Sequence, residues 1–191
     1  MKKAGFSASR VSSPAEWLQV YWLYRFAFPR CERKPFSMIV SMRRKGKTDV
    51  WCCRWNGRFA GFATTINEES LILLDYLAVK RKMQSRGIGS QILDALKSAY
   101  AGKGLFVEIE SPYEDVPDVQ QRRRRRHFYE ANGMQPVGVM AKVFDVKMEL
   151  LCWNCRMDFA RYHNFYRDNY SAWAADHIIE AQYPREKGPD S

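Results

Sequence analysis

The stretch Leu77-Ala78-Val79-Lys80-Arg81-Lys82-Met83-Gln84-Ser85-Arg86-Gly87-Ile88-Gly89-Ser90 decides how the rest of this chain is read. An apolar run, Leu71 to Val79, leads into it with Asp75 as its one charged residue. Such nearly continuous apolar character fits a strand buried on both faces. The run leaves through a short basic loop. Gly87 and Gly89 then open a segment, Gly89 to Tyr100, in which Ile92, Leu93 and Leu96 recur at helical spacing and Gly102 ends the pattern. A strand that enters a helix through glycines leaves free N–H groups at the positive end of the helix dipole. The missing side chains let an anion come close, which suits a pyrophosphate. The spacing is not that of Walker A, because no Gly-Lys-Ser/Thr follows. Nor is it the dinucleotide fingerprint, since the third glycine is absent and no βαβ unit opens the chain.

Reading outward, Ser13 is placed to cap a helix, Pro14 suits its first position and Glu16 favours its positive end, so a helix is predicted from there to about Phe28, before Pro29. A second helix is predicted over Phe36 to Arg44, ending at Gly46. Thr48 to Trp55 and Phe59 to Ile66 are β-rich and separated by Asn56-Gly57, a strong hairpin signal. Downstream of the loop, a strand is predicted over Leu105 to Glu110, a helix from about Gln121 to Ala131, and one strand over Lys142 to Trp153. The aromatic-rich segment from Arg156 to Tyr183 reads as helical. This order gives a mixed sheet with helices on both faces. The domain reading is one unit over residues 1–153 with a helical extension, 154–191, packing on it.

Composition limits the function. At 191 residues, with 46% apolar and 14% aromatic content, the chain is long enough for one packed core and too apolar to be disordered. No run approaches the ~20 apolar residues of a membrane span. The first residues lack the apolar centre of a secretory signal, so the expected location is cytoplasmic and no membrane partner is expected. Five cysteines, Cys31, Cys52, Cys53, Cys152 and Cys155, are odd in number and sparse. Only Cys152 and Cys155 have ligand spacing, and no metal site is expected from one such pair. The net charge of +10 resides in the first 60 residues, where thirteen Lys/Arg face three Asp/Glu. The remainder is neutral but segregated into a basic cluster (Lys80, Arg81, Lys82, Arg86), an acidic stretch (Glu108 to Asp118) and the run Arg122 to Arg126. Discrete surfaces of each sign argue against a uniform polyanion coat, so nucleic acid is disfavoured as a partner, although the basic first 60 residues keep that reading open.

The loop resembles the signature of the GNAT acetyltransferase superfamily, Gln/Arg-x-x-Gly-x-Gly/Ala, with Gln84, Gly87 and Gly89 in the three fixed places. Phe128-Tyr129-Glu130-Ala131-Asn132-Gly133-Met134 resembles that family's Phe-Tyr-x-x-x-Gly-Phe helix end, and the element order agrees from about residue 14 to 152. The resemblance implies a GNAT-like three-layer α/β/α fold whose mixed, mostly antiparallel sheet is splayed between its central strands. It implies acetyl-CoA as co-substrate and direct transfer of the acetyl group to a primary amine acceptor, by a monomer or homodimer. The backbone of Gln84, Ser85, Arg86, Gly87, Ile88, Gly89 and Ser90 would then hold the pyrophosphate, and the strand Leu77-Ala78-Val79 would pair with the pantetheine arm. Tyr129 would protonate the departing thiolate. Two departures stand out: Arg122 and Arg125 occupy positions where the family often has Asn and a small residue, and Met134 replaces Phe. Arg122 then becomes a candidate for a phosphate contact, and the Asn contact to pantetheine is lost.

The carboxylates offer base candidates. Glu108 and Glu110 lie two apart on a strand and so share a face, and Asp75 interrupts an apolar strand, where burial would raise its pKa. Glu110 and Asp75 are ranked together as general bases, beside the reading that a water chain removes the proton and no dedicated base exists. No Cys or Ser stands in a nucleophile setting with His127, His163 or His177, which disfavours a covalent intermediate. The arginines of the 122–126 run point all round a helix, and nearby carboxylates are expected to pair with those that face inward. A non-catalytic acyl-CoA-binding domain remains the alternative from another class.

Overall fold

Ser13 starts the first helix, α1 (Pro14–Ala27), with both halves of a capping box. Its hydroxyl accepts from the Glu16 amide at 3.3 Å, and the Glu16 carboxylate accepts from the amides of Ser12 and Ser13 at 2.9 and 3.1 Å. Glu16 also takes a salt bridge from Arg54 at 3.0 Å, which ties the helix start to a strand. The computed structural model describes residues 5–184, and the chain divides between Leu105 and Phe106 into two units, each with its own packing.

The first unit contains β1 (Phe6–Arg10), α1, α2 (Phe36–Arg44), β2 (Thr48–Trp55), β3 (Arg58–Asn67), β4 (Leu71–Val79) and α3 (Ile88–Ala99). Its four strands run antiparallel in the order β1-β2-β3-β4. Asn56 and Gly57 both take positive φ, 50° and 76°, as the hairpin between β2 and β3 requires. One face of these strands is covered by α1 and α2: Val20, Tyr24 and Ile39 pack with Val50, Cys52, Phe62, Tyr76 and Ala78. On the other face, Tyr100 at the end of α3 donates to Asp49 at 2.8 Å and accepts from the Trp51 indole at 3.3 Å. Those partners alternate with Val50 and Cys52, so helices lie on both faces of these strands. β1 was not foreseen, because Phe6-Ser7-Ala8-Ser9-Arg10 carries one large apolar residue and its five residues are half-buried or exposed.

The second unit holds β5 (Gly104–Glu110), α4 (Val119–Ala131), β6 (Gln135–Val143), β7 (Val146–Trp153), α5 (Phe159–Asn169), α6 (Ala172–Asp176) and β8 (Ile178–Ala181), with strand order β5-β7-β6-β8. Two expectations are corrected here. The single strand expected over Lys142 to Trp153 is a hairpin, with Phe144 and Asp145 at φ 44° and 72° in its turn. Neither turn residue is glycine, so the usual signal was missing. The tail expected to be helical from Arg156 to Tyr183 is helical only as far as Asp176. Ile178–Ala181 then pairs antiparallel with β6, and α5 seats Phe165 edge-on against Phe106 with ring centroids 5.0 Å apart. Residues 185–191 of the expected extension, like residues 1–4, lie outside the described residues.

Within the first unit two features shape the end of β4. The register with β3 steps from Thr64↔Tyr76 to Thr65↔Leu74, which leaves Asp75 as the extra residue of a β-bulge. Opposite Val79 stands Gly61, where a methyl group would come 2.5 Å from the Ala78 carbonyl oxygen and 3.2 Å from the Val79 Cα. Both neighbours are backbone, so Gly61→Ala is expected to push β4 away and cost about 1–3 kcal/mol, read by urea denaturation. A second expectation concerns acid. The Ser12 amide and then the Arg54 guanidinium hold the Glu16 carboxyl at about 2, below the ordinary 4.5. A depressed folded pKa stabilises above the unfolded value and is lost as the pH falls through the folded one. Stability should therefore decline between about pH 4.5 and 2, and Glu16→Gln should flatten that limb in a pH series of denaturation curves.

Candidate functional site

The loop from β4 to α3 is built to leave amides unused. A short 3₁₀ turn, Arg81–Met83, consumes two of them, with the Met83 N–H on the Lys80 carbonyl at 2.7 Å and the Gln84 N–H on that of Arg81 at 3.3 Å. The chain then turns left-handed twice, at Ser85 (φ 60°) and at Gly87 (φ 73°), and Gly87 is the N-cap of α3. Gly87 offers no side chain to cap the helix, and the first intrahelical bond runs from the Gln91 N–H to the Gly87 carbonyl at 3.1 Å. Among the described residues, the amides of residues 85–90 find no backbone partner. A dipole end with open N–H groups and left-handed turns beside it is an anion cradle. A Cβ at Gly87 would meet nothing within 4 Å, so glycine is needed there for its φ, and the space before it is open.

Side chains complete the cradle. Arg81, Lys82 and Arg86 are exposed and form no ion pair among the described residues, which leaves three positive charges on the same loop. Lys80 differs: its amide donates to Ala60 at 2.8 Å and its ammonium lies 4.9 Å from the centre of the Phe59 ring. The Gln84 amide group donates to the Val79 carbonyl at 3.1 Å and clasps the two ends of the loop together. Along β4, Tyr76 and Ala78 are buried, whereas Asp75, Leu77 and Val79 on the alternate face are half-covered. Asp75, at the bulge, pairs with the Lys34 ammonium at 2.6 Å. It is therefore a neutralised carboxylate and not a lone buried one.

In the second unit, α4 is polar nearly all round and buries only Tyr129. Burial raises that phenol to about 12, so it keeps its proton at any physiological pH. Phe128, on the adjacent helical position, is half-buried, with its ring 5.1 Å from that of Tyr129. Three of the five arginines of α4 find acids, as expected of those that face inward, though not all the expected ones. Arg122 and Arg125 both hold Glu110, at 3.2 and 2.7 Å, and Arg122 also holds Asp118 at 3.1 Å. Arg126 reaches Glu130 at 2.8 Å and the fully buried Glu149 at 2.9 Å. Glu149 also accepts from the hydroxyls of Tyr113 and Tyr183. Sequence reading missed Glu149 because it lies 23 residues from Arg126, on a strand taken for the middle of a longer one. Glu108 shares a face with Glu110, and Tyr166 donates to it at 2.9 Å. Arg122 is thus committed to carboxylates in its own unit, and Glu110 is held by two guanidiniums.

These observations describe an α/β fold with open backbone amides at a strand–loop–helix junction, a geometry suited to an anion. Comparison with known proteins sharpens this. Residues 46–136, which include the cradle and Tyr129, match the model of the Acetyltransferase (GNAT) domain. YjbC of Bacillus subtilis (strain 168), assigned as an acetyltransferase, is 31% identical over 93 residues, 45% of this chain and 46% of that protein. The chain thus matches about half the length of this curated relative. Among solved structures, a protein of Bacteroides thetaiotaomicron assigned to the GNAT family superposes with a TM-score of 0.69 at 16% identity, covering 90% of this chain and 98% of the other. An aminoglycoside 6'-N-acetyltransferase complexed with coenzyme A gives 0.64 at 16% identity, covering 80% and 99%. The chain has the fold of these GNAT structures, and its residues 46–136 are similar to the GNAT domain. No helix among the described residues is long and apolar enough to cross a membrane.

Proposed function

We propose that the protein is an acetyl-CoA-dependent N-acetyltransferase that moves the acetyl group directly onto a primary amine. The observation that carries this reading is the uncapped start of α3, where the free amides of residues 85–90 adjoin three unpaired cations. Those amides would hold the pyrophosphate of acetyl-CoA, and Arg81, Lys82 and Arg86 would face its phosphates. The backbone of Leu77, Ala78 and Val79 would align the pantetheine as an added strand, with one N–H polarising the thioester carbonyl. The aminoglycoside acetyltransferase that shares this fold is complexed with coenzyme A, which supports the same cofactor here.

In the proposed reaction the neutral amine attacks the thioester carbon and a tetrahedral oxyanion forms. The C–S bond then breaks, and sulfur takes the proton of the Tyr129 phenol. The nitrogen loses its extra proton, and the Tyr129 phenolate regains one from solvent. Neither Asp75 nor Glu110 is free to receive the amine's proton, because Lys34 neutralises the first and Arg122 with Arg125 the second. Solvent is the simpler proton acceptor.

Two measurements test the reading. Calorimetry should detect acetyl-CoA binding, and Gly87→Glu, whose side chain brings a negative charge to the cradle, should weaken it by about tenfold or more while the circular dichroism stays native. Release of free thiol on a panel of amines should fall about 100-fold in kcat for Tyr129→Phe, with the KM for acetyl-CoA little changed. Because the phenol is raised to about 12, its donor form persists throughout, and no alkaline loss of rate attributable to it should appear up to about pH 10. Acetyl-CoA binding with no turnover on any amine would favour the acyl-CoA-binding alternative.

A further inference from the structure

Between α1 and the connector leading to α2 lies a cavity of about 580 Å³, the size of a small-metabolite site. Its wall carries four cations, Arg25, Arg30, Arg33 and Lys34, beside the rings of Tyr21 and Phe36. Those rings stand edge to face at 5.1 Å and offer an apolar wall. Among the described residues one of the four cations is neutralised, Lys34 by Asp75 at 2.6 Å. Arg25 donates to the Tyr21 hydroxyl at 3.1 Å, which supplies no charge. Arg30 and Arg33 form no ion pair among the described residues. The Nε of Arg33 is buried and has no hydrogen-bond acceptor. A buried guanidinium N–H without an acceptor is rare in folded proteins, and a carboxylate or phosphate oxygen is the group that its fork fits.

The cavity is held against β4. Tyr24 donates to the Lys34 carbonyl at 2.9 Å, the Lys34 amide donates to the Tyr76 hydroxyl at 3.2 Å, and that hydroxyl donates to the Glu32 carbonyl at 2.9 Å. Lys34 itself spans from the cavity wall to the bulge at Asp75, two residues before Leu77. A ligand whose anion sits among Arg30 and Arg33 would therefore have its remaining atoms close to the strand to which the thioester is assigned above.

We propose that this cavity seats an anionic group of the acceptor, so that the acceptor is a small amine that also carries a carboxylate or a phosphate. The substrate assignment rests on the transferase reading, whereas the anion site itself does not. The unpaired cations repel polyamines and other purely cationic amines, which gives selectivity by charge as well as by fit.

The test separates the two claims. The protein is titrated calorimetrically, without acetyl-CoA, with benzoate, phenyl phosphate and neutral benzamide. At least one of the two anions should bind about tenfold or more tightly than benzamide, and whichever is tighter identifies the anion. Joint substitution Arg30→Gln and Arg33→Gln should weaken that anion by about tenfold or more. Arg44→Gln removes an exposed cation elsewhere in α2 and should leave it within a factor of about two. With acetyl-CoA present, thiol release is compared between phenylalanine and phenethylamine, and between phosphoethanolamine and ethanolamine. The double variant should raise the KM of the anionic member of a pair and leave its neutral partner unchanged. Equal binding of the three probes, no binding at millimolar levels, or an equal loss in Arg44→Gln overturns the proposal. If acetyl-CoA fails to bind, the transferase reading falls while the titration still judges the cavity.

Discussion

The left-handed turn at Gly87 is the constraint on which the rest of the candidate site depends. A residue with φ near 73° cannot continue a helix backward, so α3 begins there abruptly, without a side chain to satisfy its first amides. Every other feature of the loop preserves that condition. Gln84 clasps the loop to the end of β4, Lys80 is anchored to β3, and Arg81, Lys82 and Arg86 of the same loop form no ion pair among the described residues. A helix of twelve residues with four buried aliphatic side chains is stable enough to carry this unsatisfied end. The cost falls on the free protein, and an anion would remove it.

Charge is the second organising element, and it behaves differently in the two units. In the second unit Arg122, Arg125 and Arg126 of α4 are consumed by Glu110, Asp118, Glu130 and Glu149, so much of a run that looks like a polyanion surface becomes the bonding between a polar helix and the strands beside it. A helix that buries one aromatic ring has little apolar area to hold it, and buried ion pairs with their hydrogen bonds fill that role. The surplus of positive charge in the first unit is not cancelled in this way. Part of it lies at the β4–α3 loop and in the cavity beside α1, the two places proposed to bind anions.

Most of the fold was legible because its signals were local. Ser13-Pro14 with Glu16, Asn56-Gly57 and the glycines after Val79 each carry a backbone instruction that neighbouring residues do not contradict, and the elements they delimit fall within a residue or two of expectation. The failures share a cause. The β6–β7 hairpin turns through Phe144 and Asp145, residues that take positive φ only because the flanking strands pair and Lys142 bonds Asp145 at 2.7 Å. β1 and β8 are short edge strands whose identity comes from a partner strand and not from their own composition.

For the site, sequence alone determined which backbone would be open, because glycine at 87 and 89 and the lack of a capping side chain are properties of the residues themselves. It also determined that Glu108 and Glu110 share a face and that Tyr129 is a phenol on a helix. Only the tertiary structure decided which ionisable groups are free. Whether Asp75 is a base or half of a salt bridge depends on Lys34, 41 residues away, and whether Glu110 is available depends on a helix turn brought back over its strand. Ionic partners are chosen by proximity in space, and proximity between distant residues is what folding adds to a sequence.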